Sequence, residues 1–281
     1  MIRFHFIRHA ETYANRDGIV LGQTESTLTW EGKRKSEATG TVLERENRVR
    51  GIRYWRVYTS DLQRCKDTAK LIMSNYKAED TMNVCCEDNN VVEDEMRIVV
   101  DSRLRERAKG VREGRPKWLS HSQCLELHHK DEKAAGKSLI IPLLESEGDV
   151  YYRLGEFLTS VMRDVLNHQH DRHIPTPHQP SYPSKLSKDY HVLVVSHSGT
   201  IRTLISRILG GENWVGSHSF LSVDPDIKVP NLSITSIDTV PTTTSGILIQ
   251  SSKINNHQHV TWNVVALQLP SVKHLVMDNH L

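Results

Sequence analysis

Arg8 and His9 set a guanidinium beside an imidazole, directly after the short apolar run Arg3-Phe4-His5-Phe6-Ile7. Forked guanidinium N–H groups suit the oxygens of a phosphate, and a neutral imidazole is a nitrogen nucleophile. Three further stretches carry matching chemistry. Arg64 lies early in the segment after Trp55–Tyr58, Glu106 stands between Arg105 and Arg107, and His197 follows His191-Val192-Leu193-Val194-Val195. Together these groups form a set for phosphoryl transfer through a covalent intermediate. His9 attacks phosphorus, Arg8, Arg64 and His197 share the charge on the non-bridging oxygens, and Glu106 protonates the leaving alkoxide. Guanidinium and imidazolium groups then do what a divalent ion would do, so neither a metal nor a cofactor is expected. The plainer readings are satisfied core histidines, a surface carboxylate paired with its arginine neighbours, and a helix-surface Arg64. An arginine near a helix N-terminus is poorly placed unless an anion lies close by.

Strands must deliver these groups to one place. Arg3–Ile7, Trp55–Tyr58 and His191–Val195 are short apolar runs of the buried-strand type, the last of them nearly all β-branched or leucine. Met96–Val100 is strand-like, and Asn231–Val240, Gly246–Gln250 and Val260–Leu267 look like late strands. Helices are expected from Thr29, which caps a run to about Glu46, and over Asp61–Tyr76 with Ser60 as its cap. Others are expected at 117–129, Gly148–Asn167 and Ile201–Leu209, the last stopped by Gly210-Gly211. Strands alternating with helices predict an α/β fold, a three-layer α/β/α sandwich around a mostly parallel sheet. Ligands of such sheets sit at the carboxyl ends of the strands, where Arg8-His9, Arg64 and His197 fall.

The bulk figures narrow the class. A chain of 281 residues with 37% hydrophobic and 25% charged residues can bury a sizeable core, and it reads as one domain over 1–281. A net charge of +2 gives no global field, so nucleic acid is not implied. The strand begins at once, which leaves no room for a signal peptide, and no apolar run approaches a membrane span. Four scattered cysteines look like reduced thiols. A cytoplasmic protein without a membrane partner is expected, its oligomeric state unread. Residues 168–190, with several prolines and histidines, read as an exposed insertion or lid; the histidine spacing there fits no zinc site.

The order of the motifs adds a resemblance. Phe6-Ile7-Arg8-His9-Ala10-Glu11-Thr12 with Asn15, Leu28-Thr29-x-x-Gly32, Ser60-Asp61-Leu62-x-Arg64-x-x-x-Thr68-Ala69, Leu104-Arg105-Glu106 with Gly110 and Gly114, and Val195-Ser196-His197-Ser198-Gly199-x-x-Arg202 resemble the histidine phosphatase superfamily in its phosphoglycerate-mutase-like branch. They run in the family's order from position 6 to about 210, and Pro230-Asn231 extends the match. Gln23 and the Leu-Arg-Glu-Arg run are similar to TIGAR-type fructose-2,6-bisphosphatases. The resemblance implies His9 as the phosphate acceptor, Arg8, Asn15, Arg64 and His197 as the phosphate pocket, Glu106 as the proton donor and Gln23 as a substrate contact. Glu145-Ser146-x-x-Asp149-x-x-x-Arg153 partly matches a structural motif. Ala10 stands where the family has Gly, Lys109 replaces an aromatic residue, and Leu144 replaces a Gly.

The expected activity is a phosphatase for a small phosphorylated metabolite, such as fructose 2,6-bisphosphate or another sugar bisphosphate. A phosphoglycerate mutase is the runner-up, disfavoured by the polar stretch Gly22–Ser26, and a non-catalytic binding protein of the same fold is third. Arg107 and Lys109, within a basic run from Arg103 to Lys117, are candidates for a second anionic group of the substrate. Their ordinary alternative is a solvated face.

Overall fold

Strand β1 (Ile2–Arg8) shows why the chain needs two helical layers. Side chains alternate along a strand, and here both faces are apolar. Ile2, Phe4 and Phe6 enter one buried cluster, whereas Ile7 enters another. The computed structural model describes residues 1–76, 98–171, 189–210, 227–243 and 260–271. Within them the sheet comprises β1, β2 (Tyr54–Thr59), β3 (Ile98–Val100), β4 (Tyr190–Ser196), β5 (Ile234–Thr243) and β6 (Val260–Ser271). Its order is β3-β2-β4-β1-β5-β6. The first four neighbours are parallel, and β5 and β6 pair antiparallel. The sheet is therefore mostly parallel, as expected, with an antiparallel flank that the apolar runs did not announce.

Two helices cover each face. On one side lie α5 (Glu147–Asp171) and α6 (Ser198–Leu209). Val150, Leu154, Phe157, Leu158, Val161, Met162 and Val165 recur at helical spacing and pack with Ile201, Leu204, Ile205 and Ile208 against Phe4, Phe6, Val192 and Val194. On the other side α2 (Trp30–Arg50) and α3 (Gln63–Met73) set Leu43, Ile72 and Met73 against Ile7, Val57 and Leu193. A short helix α1 (Tyr13–Arg16) follows β1, and α4 (His121–Ala135) precedes α5.

Local chemistry explains the helix ends. Thr29 Oγ1 accepts the Gly32 N–H at 2.9 Å and caps α2. That helix runs four residues past the expected Glu46 and stops at Gly51 with φ +65°. Ser60 does not cap α3, contrary to expectation. The helix begins after Leu62, and the Ser60 hydroxyl accepts the Leu62 N–H while facing His197. Helix α4 starts at His121 instead of 117, because Ser120 and Gln123 form a reciprocal capping box. Helix α5 reaches Asp171, into the segment read as a lid; 172–188 lie outside the described residues, as do Met96, Gly246–Gln250 and Cys85-Cys86.

Candidate active site

Parallel register brings the strand ends together. Arg8 pairs with Ser196 and Thr59 with Val195, so the residues that follow converge at one edge of the sheet. The His9 N–H donates to the Ser196 carbonyl at 2.9 Å, and the Ser60 N–H to the Val195 carbonyl at 3.0 Å. The His9 and His197 rings then lie 5.2 Å apart, centre to centre.

His9 is buried, and its Nδ1 lies 2.7 Å from the Ala10 carbonyl. A carbonyl only accepts, so Nδ1 carries the proton and Nε2 keeps its lone pair. Burial, then the Arg64 and Arg8 charges, hold this imidazole well below its usual range. It is neutral, the form that a nucleophile requires. Ala10, the departure from glycine, is itself buried and joins the apolar cluster with Ile7 and Leu28.

His197 is fully buried at the start of α6. Its Nε2 lies 2.9 Å from Ser60 Oγ and 3.3 Å from Cys65 Sγ. Burial, followed by Arg64 and His9, keeps it well below the ordinary histidine range. These surroundings disfavour an imidazolium while the site holds no anion. Burial likewise pushes the Cys65 thiol up, so it is no nucleophile.

The two arginines are partly committed and partly open. Arg64 is 1% exposed, and its terminal nitrogens donate to the Thr24 and Gly22 carbonyls at 2.7 Å each. Arg8 Nη1 donates to the Val229 carbonyl at 2.7 Å. Nε of both is buried with no acceptor among the described residues. Buried unpaired donors on cations are costly, and an anion would satisfy them.

Glu106 sits at the N-terminus of α6. Its Oε2 accepts the Gly199 N–H at 2.9 Å and its Oε1 the Arg107 N–H at 2.7 Å. A methyl at Gly199 would come within 2.2 Å of Oε1, so only glycine admits the carboxylate there. The loop carrying Glu106 is braced from below. Glu145 accepts from the Ala108 N–H, from Arg153 and from Gln23 Nε2, while Arg153 also holds the Arg103 carbonyl.

The remaining candidates divide. Asn15 lies beside His9: its Oδ1 accepts the Thr12 N–H, and Asn231 Nδ2 donates both to that oxygen and to the His9 carbonyl. Gln23, expected to touch substrate, bonds through its amide to the Glu106 carbonyl, Glu145 and Arg105. Arg107 pairs with Glu147 at 3.1 Å. Arg105, which the sequence left without a role, grips Asp61 with two nitrogens. Lys109 has no ion-pair partner among the described residues. It is half-buried, and burial lowers its pKa, as do Arg107, Arg202 and Arg112 nearby; Glu106 acts in the opposite sense.

A neutral buried imidazole with a free Nε2, two guanidiniums with open donors and a carboxylate at a helix end define a centre suited to covalent phosphoryl transfer. The chain belongs to the histidine phosphatase superfamily (branch 1), whose profile matches residues 4–170. Two Danio rerio proteins are similar to it. "Fructose-2,6-bisphosphatase TIGAR B" is 28% identical over 72% of this chain and 73% of its own. "Probable fructose-2,6-bisphosphatase TIGAR A" is 29% identical over 59% of this chain, and the chain spans only 56% of its length. A Yersinia enterocolitica "Probable phosphoglycerate mutase GpmB" is 26% identical over 92% of this chain and 95% of its own. The alpha-ribazole phosphatase from Shigella flexneri shares the fold, with TM-score 0.50, 20% identity and 96% of each chain covered. No helix among the described residues is long and apolar enough to cross a membrane.

Proposed function

We propose that this chain is a phosphomonoester hydrolase for small phosphorylated metabolites, working through a phosphohistidine. The observation that carries this reading is the Nδ1–H bond from His9 to the Ala10 carbonyl, which leaves Nε2 uncharged and available beside the open donors of Arg8 and Arg64. In the first half-reaction the Nε2–P bond forms as the P–O ester bond breaks. Glu106, entering this step in its protonated form, gives its proton to the departing alkoxide. Water then attacks phosphorus as the Nε2–P bond breaks and its electron pair returns to His9, Glu106 takes up a proton from that water, and inorganic phosphate leaves. An arriving phosphate dianion offsets the two guanidiniums, which lets His197 accept a proton and share the charge.

A substrate with a second anionic group fits best, and fructose 2,6-bisphosphate is the first candidate. Lys109 supports this, as a half-buried cation with no ion-pair partner among the described residues, with Glu106 and Arg202 near it. The similarity to TIGAR B points the same way. A phosphoglycerate mutase is the second reading, favoured by the likeness to GpmB along nearly the whole chain.

The test is phosphate release from a metabolite panel including fructose 2,6-bisphosphate and 2,3-bisphosphoglycerate, with interconversion of 3- and 2-phosphoglycerate measured alongside. Hydrolysis should be the faster process; dominant interconversion would establish the mutase. His9→Ala should abolish turnover. Glu106→Gln should cost ~10²–10⁴-fold on sugar phosphates but much less on p-nitrophenyl phosphate, whose phenolate leaves without a proton. Equal losses on both would remove Glu106 from the acid role.

A further inference from the structure

Five residues outside the groups meant to touch phosphate, Val229 to Ser233, wrap the end of β1. The Leu232 N–H donates to the Arg8 carbonyl at 3.0 Å, and the Arg8 N–H donates to the Ser233 carbonyl at 3.2 Å. Ser233 N–H closes the turn on the Pro230 carbonyl at 3.1 Å. Leu232 sits at φ +59°, the one non-glycine residue with positive φ among those described, and is buried. A bulky residue stays in the left-handed region only where its surroundings over-determine it, and such strain collects at functional sites.

The centre of the turn is Asn231. Its Nδ2 donates to the His9 carbonyl at 2.8 Å and to Asn15 Oδ1 at 3.3 Å. On the other end of the same peptide, the Ala10 N–H donates to Thr68 Oγ1 at 3.0 Å, and Thr68 is itself tied to the Arg64 carbonyl. The His9–Ala10 peptide plane is thus clamped at its oxygen by Asn231 and at its nitrogen by Thr68. The next carbonyl, of Ala10, is the one that receives the His9 ring proton. Rotation of the clamped plane would move that carbonyl and release the tautomer that frees Nε2.

We infer that Asn231 is a positioning residue for phosphoryl transfer: by holding the His9 carbonyl it aims the His9 Nε2 lone pair relative to Arg8 and Asn15. This rests on the reading of His9 as nucleophile.

Asn231→Ala and Asn231→Asp in the full chain test it, with His9→Ala in parallel and p-nitrophenyl phosphate as substrate. Misplacing a reacting group by about 1 Å can cost ~10²-fold, so Asn231→Ala should lower kcat and the rapid-quench rate of phosphohistidine formation roughly ten- to hundred-fold. Competitive inhibition by inorganic phosphate should change by less than about three-fold, because Arg8 and Arg64 remain. In Asn231→Asp a carboxylate would face two acceptor oxygens, and protonation would restore one O–H donor. Its activity relative to the unaltered protein should therefore rise as pH falls, a response that general loss of structure does not produce. Unchanged kcat in Asn231→Ala, with His9→Ala inactive, overturns the positioning role alone; turnover in His9→Ala overturns the nucleophile reading instead. Should Asn231→Ala unfold at the assay temperature, the Asp variant decides, and absence of acid recovery there counts against the inference.

Discussion

At the scale of single residues, burial and neighbouring cations disfavour charge on both histidines of the ligand-free site. His9 is kept neutral first by burial and then by two neighbouring guanidiniums. Its acid limb therefore falls well below the usual 6.5 of a histidine. On p-nitrophenyl phosphate, kcat/KM should show no enzyme-derived loss as pH drops through 6.5, once the substrate's own second ionisation near about 6 is allowed for. An apparent enzyme pKa near 6.5 would show that His9 is not shielded as described. Much of this centre was legible in the sequence, because Arg8 ends β1, His9 and His197 directly follow strands, and Arg64 lies in the first turn of α3. What spacing could not show is which atoms are already occupied. The resemblance marks Gln23 as a substrate contact, but it does not show the bonds its amide makes to the Glu106 carbonyl, Glu145 and Arg105. Asn231 lies 222 residues from His9, and no local pattern foretells their bond.

Secondary elements position these groups through close backbone approach as much as through apolar burial. Helices α2 and α3 meet at Gly40, where a methyl would come within 2.1 Å of the Ile72 carbonyl oxygen. Backbone cannot yield there as a side-chain tip can, so the helices would have to part. Gly40→Ala should destabilise the fold by about 1–3 kcal/mol, as overpacking does, while kcat of the folded fraction stays near normal. Urea unfolding and an assay on the same preparation check it; a normal midpoint would mean that the helices slide freely. A mid-helix glycine at that position carries no such meaning in the sequence, since it reads only as a weak helix former. Strands β1 and β4 were legible because their apolar runs have no other burial solution at that length. The antiparallel pairing of β5 with β1 was not, because direction depends on where the chain returns and not on composition. Helix starts failed where a side chain had a better partner: Ser60 faces His197 instead of capping α3.

Across the whole molecule, the sheet holds a second polar layer at the end of β1 away from His9. His5 on β1 places Nε2 3.0 Å from His191 Nδ1 on β4 and Nδ1 3.0 Å from Ser236 Oγ on β5, with the rings of His5 and His191 stacked. Arg3 pairs with Asp238 beside them, and Tyr54 on β2 meets the His5 ring edge-on. Burial, then His191 and Arg3, lower His5 from 6.5 to about 3; burial, then Arg3, lower His191 as well. The folded state therefore binds fewer protons than the unfolded chain once pH falls below 6.5. Stability from this neutral pair is fully present above 6.5 and is lost progressively as pH descends towards about 3, where His5 itself accepts a proton. Each such group contributes a slope approaching ~1.4 kcal/mol per pH unit once its unfolded form is protonated. His9 and His197 add to the same trend. Between about pH 6.5 and 5 most unfolded carboxylates are still ionised, so histidines dominate the slope there. Urea unfolding across that interval should show stability falling with acid, and His5→Gln, which keeps a side-chain amide towards Ser236 and His191, should remove up to one group's share of the slope. An unchanged slope in His5→Gln would mean that His5 is hydrated or charged in the folded protein, and that the polar layer does not couple folding to pH.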